Sequence, residues 1–427
     1  MGVAHQANAA GFLEDSKANL DMRNFYFNQD TRNEEAASDR EWGQGFILNY
    51  QSGFTQGPIG VGLDLLGLYG VRLDASGRVG KAGEDRTPGS VFPVSSNGEA
   101  VDDYAKLGAT AKFRFSKTQL KVGNLMPKLP VVTYNDGRLL PQTFQGWQVD
   151  SKELDKFNFV GGRLTQVSDR NSSDMQGMSI AGANDPVKGK FSNQFYYGGV
   201  DYQATKQLQL QYYYGSLENF YQQHFLGLTH VWQLPQGQLK TDLRYFYSTS
   251  DGKNSSADGR GDGYVSAGYY GQGISKGEVD NRLWSSMLTY SISGHSLSIG
   301  YQKSSGDSDF PHINEGQGRS PYLLTNGQYL RFVNAGEDTA VATYAYDFAA
   351  VGVQGLKSSF TYMNGQHIQT AKQDNSEWEH DLRIDYVIPQ GTFKGVGLTW
   401  RSAVARGNDV ADKDENRLIV SYSIPLL

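Results

Sequence analysis

The chain is built on a period of two. Segment after segment places apolar or aromatic side chains at every second position, with small, polar or charged residues between them. From Trp42 to Gln51, the face Trp42, Gln44, Phe46, Leu48 and Tyr50 opposes Gly43, Gly45, Ile47, Asn49 and Gln51. From Leu239 to Ser248, the face Leu239, Thr241, Leu243, Tyr245 and Tyr247 opposes Lys240, Asp242, Arg244, Phe246 and Ser248. Trp378–Ile388, Val396–Ala405 and the final stretch Arg417–Leu427 repeat the rhythm, which recurs in about 18 segments. Each runs for roughly ten residues, the length a tilted strand needs to cross a bilayer. A strand with one face in lipid and the other in water needs only alternate apolar residues. A mean hydropathy of −0.53 is therefore compatible with a membrane wall.

The connections sharpen this expectation. Turn-like links fall near Ser52–Pro58, Phe115–Gln119, Ser151–Lys156, Ala204–Gln207, Leu234–Gln238, Ser293–Ser296, Ala349–Gly355 and Pro389–Gly395. Between them lie connections near Asn28–Glu41, Gly70–Asp103, Leu125–Thr143, Gln166–Asn193, Gly215–Asn219, Thr249–Asn281, Ser304–Asp338, Asn364–Glu377 and Arg406–Asn416. Eight turns and nine loops imply 18 strands. The pattern predicts an all-β fold, an 18-stranded antiparallel transmembrane β-barrel with short periplasmic turns and long extracellular loops folded partly into the lumen. An N-terminal segment, 1–17, precedes a single barrel domain, 18–427. A barrel of this size leaves an aqueous bore, and its expected location is the outer membrane of a Gram-negative bacterium.

Composition changes this picture little. Tyrosine (26) suits interfacial aromatic belts, and no run of 18 apolar residues exists to form a membrane helix. The absence of cysteine removes disulfides, thiol catalysis and cysteine metal sites. A net charge of −6 argues against nucleic acid as a partner. Met1–Ala10 has neither a basic nor an apolar block, which fits a chain whose export signal has been removed and equally a cytoplasmic protein, so it decides little alone.

The candidate chemistry lies on the water-facing parity. Arg23, Lys112, Arg114, Lys121, Arg244, Lys357, Arg383, Arg401 and Arg417 all fall there. Singly, each equally well serves to solvate and stiffen a barrel interior. Together, Lys357, Arg383, Arg401 and Arg417 give each of the last four strands one inward cation, a track along which an anion exchanges hydration for guanidinium contacts. Arginine's planar fork matches a carboxylate. Acids accompany the cations: Asp21 beside Arg23, Asp242 beside Arg244, and Asp381 and Asp385 flanking Arg383.

Enzyme signals are poor. The seven histidines are scattered without metal-ligand spacing, and His224 and His230 share the parity of Trp232, as wall or rim residues would. Arg260-Gly261-Asp262 reads as a solvated loop. Asp409, Asp412, Asp414 and Glu415 lack the spacing and glycine of a calcium loop. Asn171-Ser172-Ser173 and Asn254-Ser255-Ser256 match a glycosylation acceptor that has little meaning in a bacterial barrel. No cofactor and no metal is expected.

Several stretches resemble the OprD-type porins, the outer-membrane carboxylate channels. They are Gly11–Lys17 running into Arg23–Asn28, Gly45-Phe46 with Tyr50–Gly57, Asp103-Tyr104 before Ser116-Lys117-Thr118, Gly137–Thr143, and Asn416–Tyr422. They span the chain from end to end in the family's order. The resemblance implies an 18-stranded, mostly monomeric barrel (weak trimers being the alternative), narrowed by inward-folded loops, with a basic ladder leading to a constriction. It places ladder and constriction cations on Arg138, Arg163, Arg401 and Arg417, and constriction-loop positions on Tyr329 and Asn326. This chain departs from the pattern at Thr399, where a second ladder arginine is expected, and at Asp385, where a lysine is expected. Arg319 and Arg331 stand where members that admit basic amino acids carry loop acids, which favours anionic substrates. The implied partners are small carboxylates, with outer-membrane lipid and lipopolysaccharide around the wall. Three alternatives stand against this channel: a barrel hydrolase with a Ser–His–acid site, a basic-amino-acid or peptide channel of the same family, and a soluble β-rich binding protein.

Overall fold

A computed structural model describes residues 11–32, 37–81, 83–182, 189–268, 276–314, 320–370, 375–408 and 410–427. It contains 18 barrel strands: β1 (Lys17–Thr31), β2 (Ser38–Gln51), β3 (Gly60–Asp74), β4 (Asp103–Phe115), β5 (Thr118–Leu125), β6 (Thr143–Ser151), β7 (Phe157–Ser168), β8 (Phe195–Gln203), β9 (Leu208–Leu217), β10 (Tyr221–Gln233), β11 (Gln238–Ser250), β12 (Asp280–Ile292), β13 (His295–Ser305), β14 (Asp338–Asp347), β15 (Leu356–Ile368), β16 (Asn375–Val387), β17 (Gly397–Gly407) and β18 (Lys413–Pro425). Each strand pairs antiparallel with its sequence neighbours, and β1 pairs with β18 from Asn19↔Pro425 to Thr31↔Lys413. That pairing closes the sheet and leaves no free edge, the condition for a β-structure in hydrocarbon.

The exposed face of the wall is apolar. Leu107, Leu226, Ile299 and Leu418 are among its most exposed aliphatic residues. Water does not tolerate so continuous a patch, and a membrane does. His224 and His230 belong to this outer wall: His224 meets Tyr212 at 3.0 Å and His230 packs on Trp232.

The inner face is less uniformly polar than the alternation predicts. Phe25, Phe27, Phe225 and Phe246 point inward and are fully buried. They pack against loop residues in two clusters. One joins Phe225 and Phe246 to Phe310, Ile313 and Val333; the other joins Phe25 and Phe27 to Phe92, Leu139 and Leu140. An inward-folded loop must bury its own apolar side chains, so the wall beneath it is apolar too. Room for the loops comes from the wall's backbone. A Cβ at Gly43 would lie 2.4 Å from Phe92, and one at Gly45 3.0 Å from Leu139. The glycine-rich connection after β11 is also ordered where described, with a 3-10 turn at Gly252–Ser255 and a helix at Ala257–Gly261 that contains Arg260. Met1–Ala10 lies outside the described residues.

Candidate functional site

Two loops, residues 126–142 and 320–337, meet on the wall formed by β16, β17, β18 and β1. On β16 the inward positions alternate as Glu377, Glu379, Asp381, Arg383 and Asp385. The three upper acids hold the second loop by its amides. The Gln328 amide donates to Asp381 at 2.9 Å, and the Tyr329 amide donates to Glu379 at 2.8 Å. The Leu330 amide also donates to Glu379, and the Asn334 side chain reaches Glu377 at 3.2 Å. Backbone donors turned toward a wall need acceptors, and carboxylates supply strong ones.

Cations fasten the first loop through its carbonyls. Arg23 donates to the Arg138 carbonyl at 2.7 Å and to Asp136 at 2.8 Å. Its partner is thus a loop acid rather than the strand neighbour Asp21, which takes hydrogen bonds from Asn19 and Asn49. Lys106, inward on β4, donates to the carbonyls of Pro141 and Asp169 at 3.1 and 2.6 Å. Its strand parity marks it as inward, but only the folded loop reveals what it holds.

Arg417 joins the two loops. Its guanidinium donates to the Gly137 carbonyl at 3.2 Å, the Gln328 carbonyl at 3.0 Å and Glu415 at 2.6 Å. Arg138 lies over the Phe27 ring at 4.2 Å, with Glu415 at 3.7 Å. Burial, and next the charge of Arg417, hold the Arg138 pKa well below the usual arginine value. Both arginines are nearly inaccessible, at 6% and 3%. They act as rivets between loop and wall more than as open landing points.

Their neighbours in the wall are less enclosed: Arg383 is exposed and Arg401 half-buried. Strand register sets Arg383 opposite Arg401, and Arg401 opposite Arg417, so three guanidinium groups stand in one row across β16, β17 and β18. Neighbouring strands are about 4.8 Å apart, so the row is continuous at the scale of one carboxylate. Arg383 is tied to Asp385 at 2.6 and 3.0 Å, and Thr399 donates to the same acid at 2.7 Å. Arg401 is different: its side chain makes no hydrogen bond and no ion pair among the described residues. On the extracellular side of this row lies a cavity of about 440 Å³ lined by Arg138, Gln328, Tyr329, Arg331, Lys413 and Glu415.

The remaining predicted positions separate from this cluster. Arg331 turns back on its own loop, donating to the carbonyls of Gly327, Leu330 (2.9 Å) and Gln328 (3.2 Å). Tyr329 lines the cavity, while Asn326 is exposed beside it in sequence. Lys357 sits at the periplasmic rim beside Asp347 at 3.1 Å, with 65% of its side chain exposed. Arg163 is not in the lumen. Its cross-strand partners are Trp147 and Tyr196, both outward and 41% exposed, and it lies over the Tyr196 ring at 5.5 Å. The flanking Leu164 is the inward, fully buried residue, so one step of strand parity removes Arg163 from the bore. Arg319 and Asp409 lie outside the described residues. Asp412 and Asp414 pair with Arg406 at 3.7 and 2.7 Å, and no group of three metal-ligating side chains occurs among the described residues.

Residues 10–426 match the family model "outer membrane porin, OprD family". The chain belongs to the OprD family. It is 34% identical over 99% of its length to a porin-like protein, GalP, of Pseudomonas putida, covering 95% of that relative. Among solved structures it superposes on Pseudomonas aeruginosa OccK8 (OprE) with a TM-score of 0.91 at 56% identity, covering 98% of this chain and 100% of the other. A structure of Pseudomonas aeruginosa OpdK with vanillate matches with a TM-score of 0.85 at 34% identity, over 97% and 100% of the two chains. The protein is therefore an outer-membrane porin, a transmembrane β-barrel channel of a Gram-negative bacterium.

Proposed function

We propose that this porin conducts small carboxylate-bearing solutes passively, with Arg401 as the residue that meets the anion. The observation carrying this reading is that Arg401, in a row of three arginines, lacks a protein acceptor among the described residues. A guanidinium held on a wall without an acceptor keeps its fork free for a passing carboxylate. Lys413 and the cavity above would collect the anion. Arg383, shared with Asp385, would release it toward the periplasm, since a conducting site must bind weakly enough to let go. The vanillate bound to the OpdK relative is itself a carboxylate, which supports the substrate class.

A channel for cationic amino acids is less well supported, because Glu377, Glu379 and Asp381 already accept donors from the inner loop. Full-length similarity to porins supports a passive pore with no catalytic step. One chain closes its own barrel, so a monomer suffices for the path.

The test is substrate flux in proteoliposomes. Arg401→Gln should lower uptake of an aromatic carboxylate about 3- to 10-fold, the net worth of roughly one ordinary hydrogen bond, and leave a neutral sugar unaffected. Equal uptake of the carboxylate by both proteins would refute the assignment.

A further inference from the structure

The outer wall carries a second feature that permeation does not use. Arg163 faces outward near the upper end of the β7–β8 pairing, where only Leu164↔Phe195 lies above it. Among the outward cations, Arg282 has Asp280 (3.3 Å), Lys303 has Asp338 (3.0 Å) and Arg406 has Asp414 (2.7 Å), while the Nε of Arg40 is, like that of Arg163, buried without a partner among the described residues. Arg163 has no acid, and its Nε is buried without a hydrogen-bond partner among the described residues. It stands between Trp147 and Tyr196, at the height of an interfacial belt.

Directly below it the wall is hollow. Gly161 and Gly198 lie opposite one another and occupy outward positions. Neither has a positive φ, and a Cβ on either would come no closer than 3.7 Å to other atoms. The fold would accept side chains at both places. Their lack leaves a groove of about 520 Å³, walled by Trp147, Val149 and Phe159 on one side and Tyr196 and Tyr214 on the other. Its length, from the level of Trp147 to that of Ser151, is about 13 Å at a strand's rise per residue. With strands tilted by roughly 40° this spans about 10 Å of depth, about two-thirds of one hydrocarbon leaflet.

We propose that this groove binds one acyl chain of a phosphorylated glycolipid of the extracellular leaflet, with Arg163 taking the phosphate. The chemistry is divided as such a lipid requires. The apolar, aromatic-walled trough lies within the bilayer, and an arginine without a counter-ion stands at its headgroup end, on the leaflet where the long loops emerge. A second copy of this chain would instead have to bring an acid to Arg163 as well as side chains to the trough.

The experiment is native mass spectrometry of the delipidated full-length porin, titrated with bisphosphorylated lipid A, with the same lipid after phosphatase treatment, and with inorganic phosphate. One lipid A should bind per barrel, at least tenfold more tightly than the dephosphorylated lipid, and a tenfold excess of phosphate should not displace it. Arg163→Gln should weaken binding about tenfold, and Arg163→Lys by less. Gly161→Leu, which fills the trough without touching the arginine, should also weaken it. Single-channel conductance of all three variants should match the parent, because none of these positions faces the bore; this also certifies that each variant is folded. Equal binding by Arg163→Gln, equal binding of the dephosphorylated lipid, or displacement by phosphate would overturn the proposal. So would a barrel dimer, in place of the lipid adduct, that Gly161→Leu abolishes.

Discussion

At the residue scale, the three arginines of the row across β16–β18 differ in what surrounds them, not in kind. Arg417 is spent on two carbonyls and Glu415, Arg383 is shared with Asp385, and Arg401 is open. Mutation should separate these roles. Arg401→Gln should reduce carboxylate flux while the barrel's melting temperature stays put. Arg417→Gln should instead leave Glu415 buried beside a single remaining cation, Arg138, at a cost of about 3 kcal/mol. It should also release Gly137 and Gln328 from each other. The expected readouts are a lower thermal transition and a noisier, larger single-channel current. Quiet, parental traces from Arg417→Gln would show that the two loops do not depend on its bridge.

Parity along the strands was enough to call Arg23, Arg383, Arg401 and Arg417 inward from sequence. It says nothing about which acceptors a folded loop delivers, so Arg417 and Arg401 looked equivalent. Arg163 shows the other failure. Its place in the ladder came from resemblance, and the register with Trp147 and Tyr196 puts it on the lipid face.

At the element scale, the loop 320–337 is seated on carboxylates, which makes its position sensitive to pH. Glu337, in the loop, accepts from the amide and side chain of Asn334 at 3.0 and 2.9 Å and approaches Glu377 and Asp309. Burial, reinforced by the charge of Glu377, raises its pKa well above the usual 4.5. The seated loop therefore holds the proton more firmly than a released loop would. Seating gains its full contribution below about pH 4.5 and loses it as pH climbs through the raised value. Loop-opening events in planar bilayers should thus be rarer at pH 5 than at pH 8, and Glu337→Gln should flatten the dependence. An opening frequency that tracks pH equally in Glu337→Gln would point to other groups. Glu379→Ala removes the acceptor of two loop amides. It should raise amide exchange across residues 328–331 and enlarge the conductance, with little change in the exchange of β17.

At the scale of the whole molecule, the net charge and the arginine row have opposite signs. The chain carries −6 overall, while the wall beside the two inner loops presents a row of three arginines, with Glu379 and Asp381 turned to amides of the inner loop. Selectivity for anions should therefore arise over short distances. It should be clear at ~0.05 M salt and fade toward ~1 M, where the screening length falls to about 3 Å. Reversal potentials across a salt gradient measure this directly; cation preference at low salt would contradict the arrangement.

The alternation of residues determined the closed barrel, because the choice between lipid and water is made at every strand position and is written into each. The alternation of turns with loops fixed the strand number for the same local reason. The loops obey no such period. Where residues 136–140 and 328–331 come to rest, which cations they consume, and which one they leave open depend on contacts between parts of the chain 89 to 280 residues apart. Those contacts exist only once the barrel has closed around them, so the free Arg401 belongs to the tertiary structure alone, while the outward Arg163 follows from strand register with Trp147 and Tyr196.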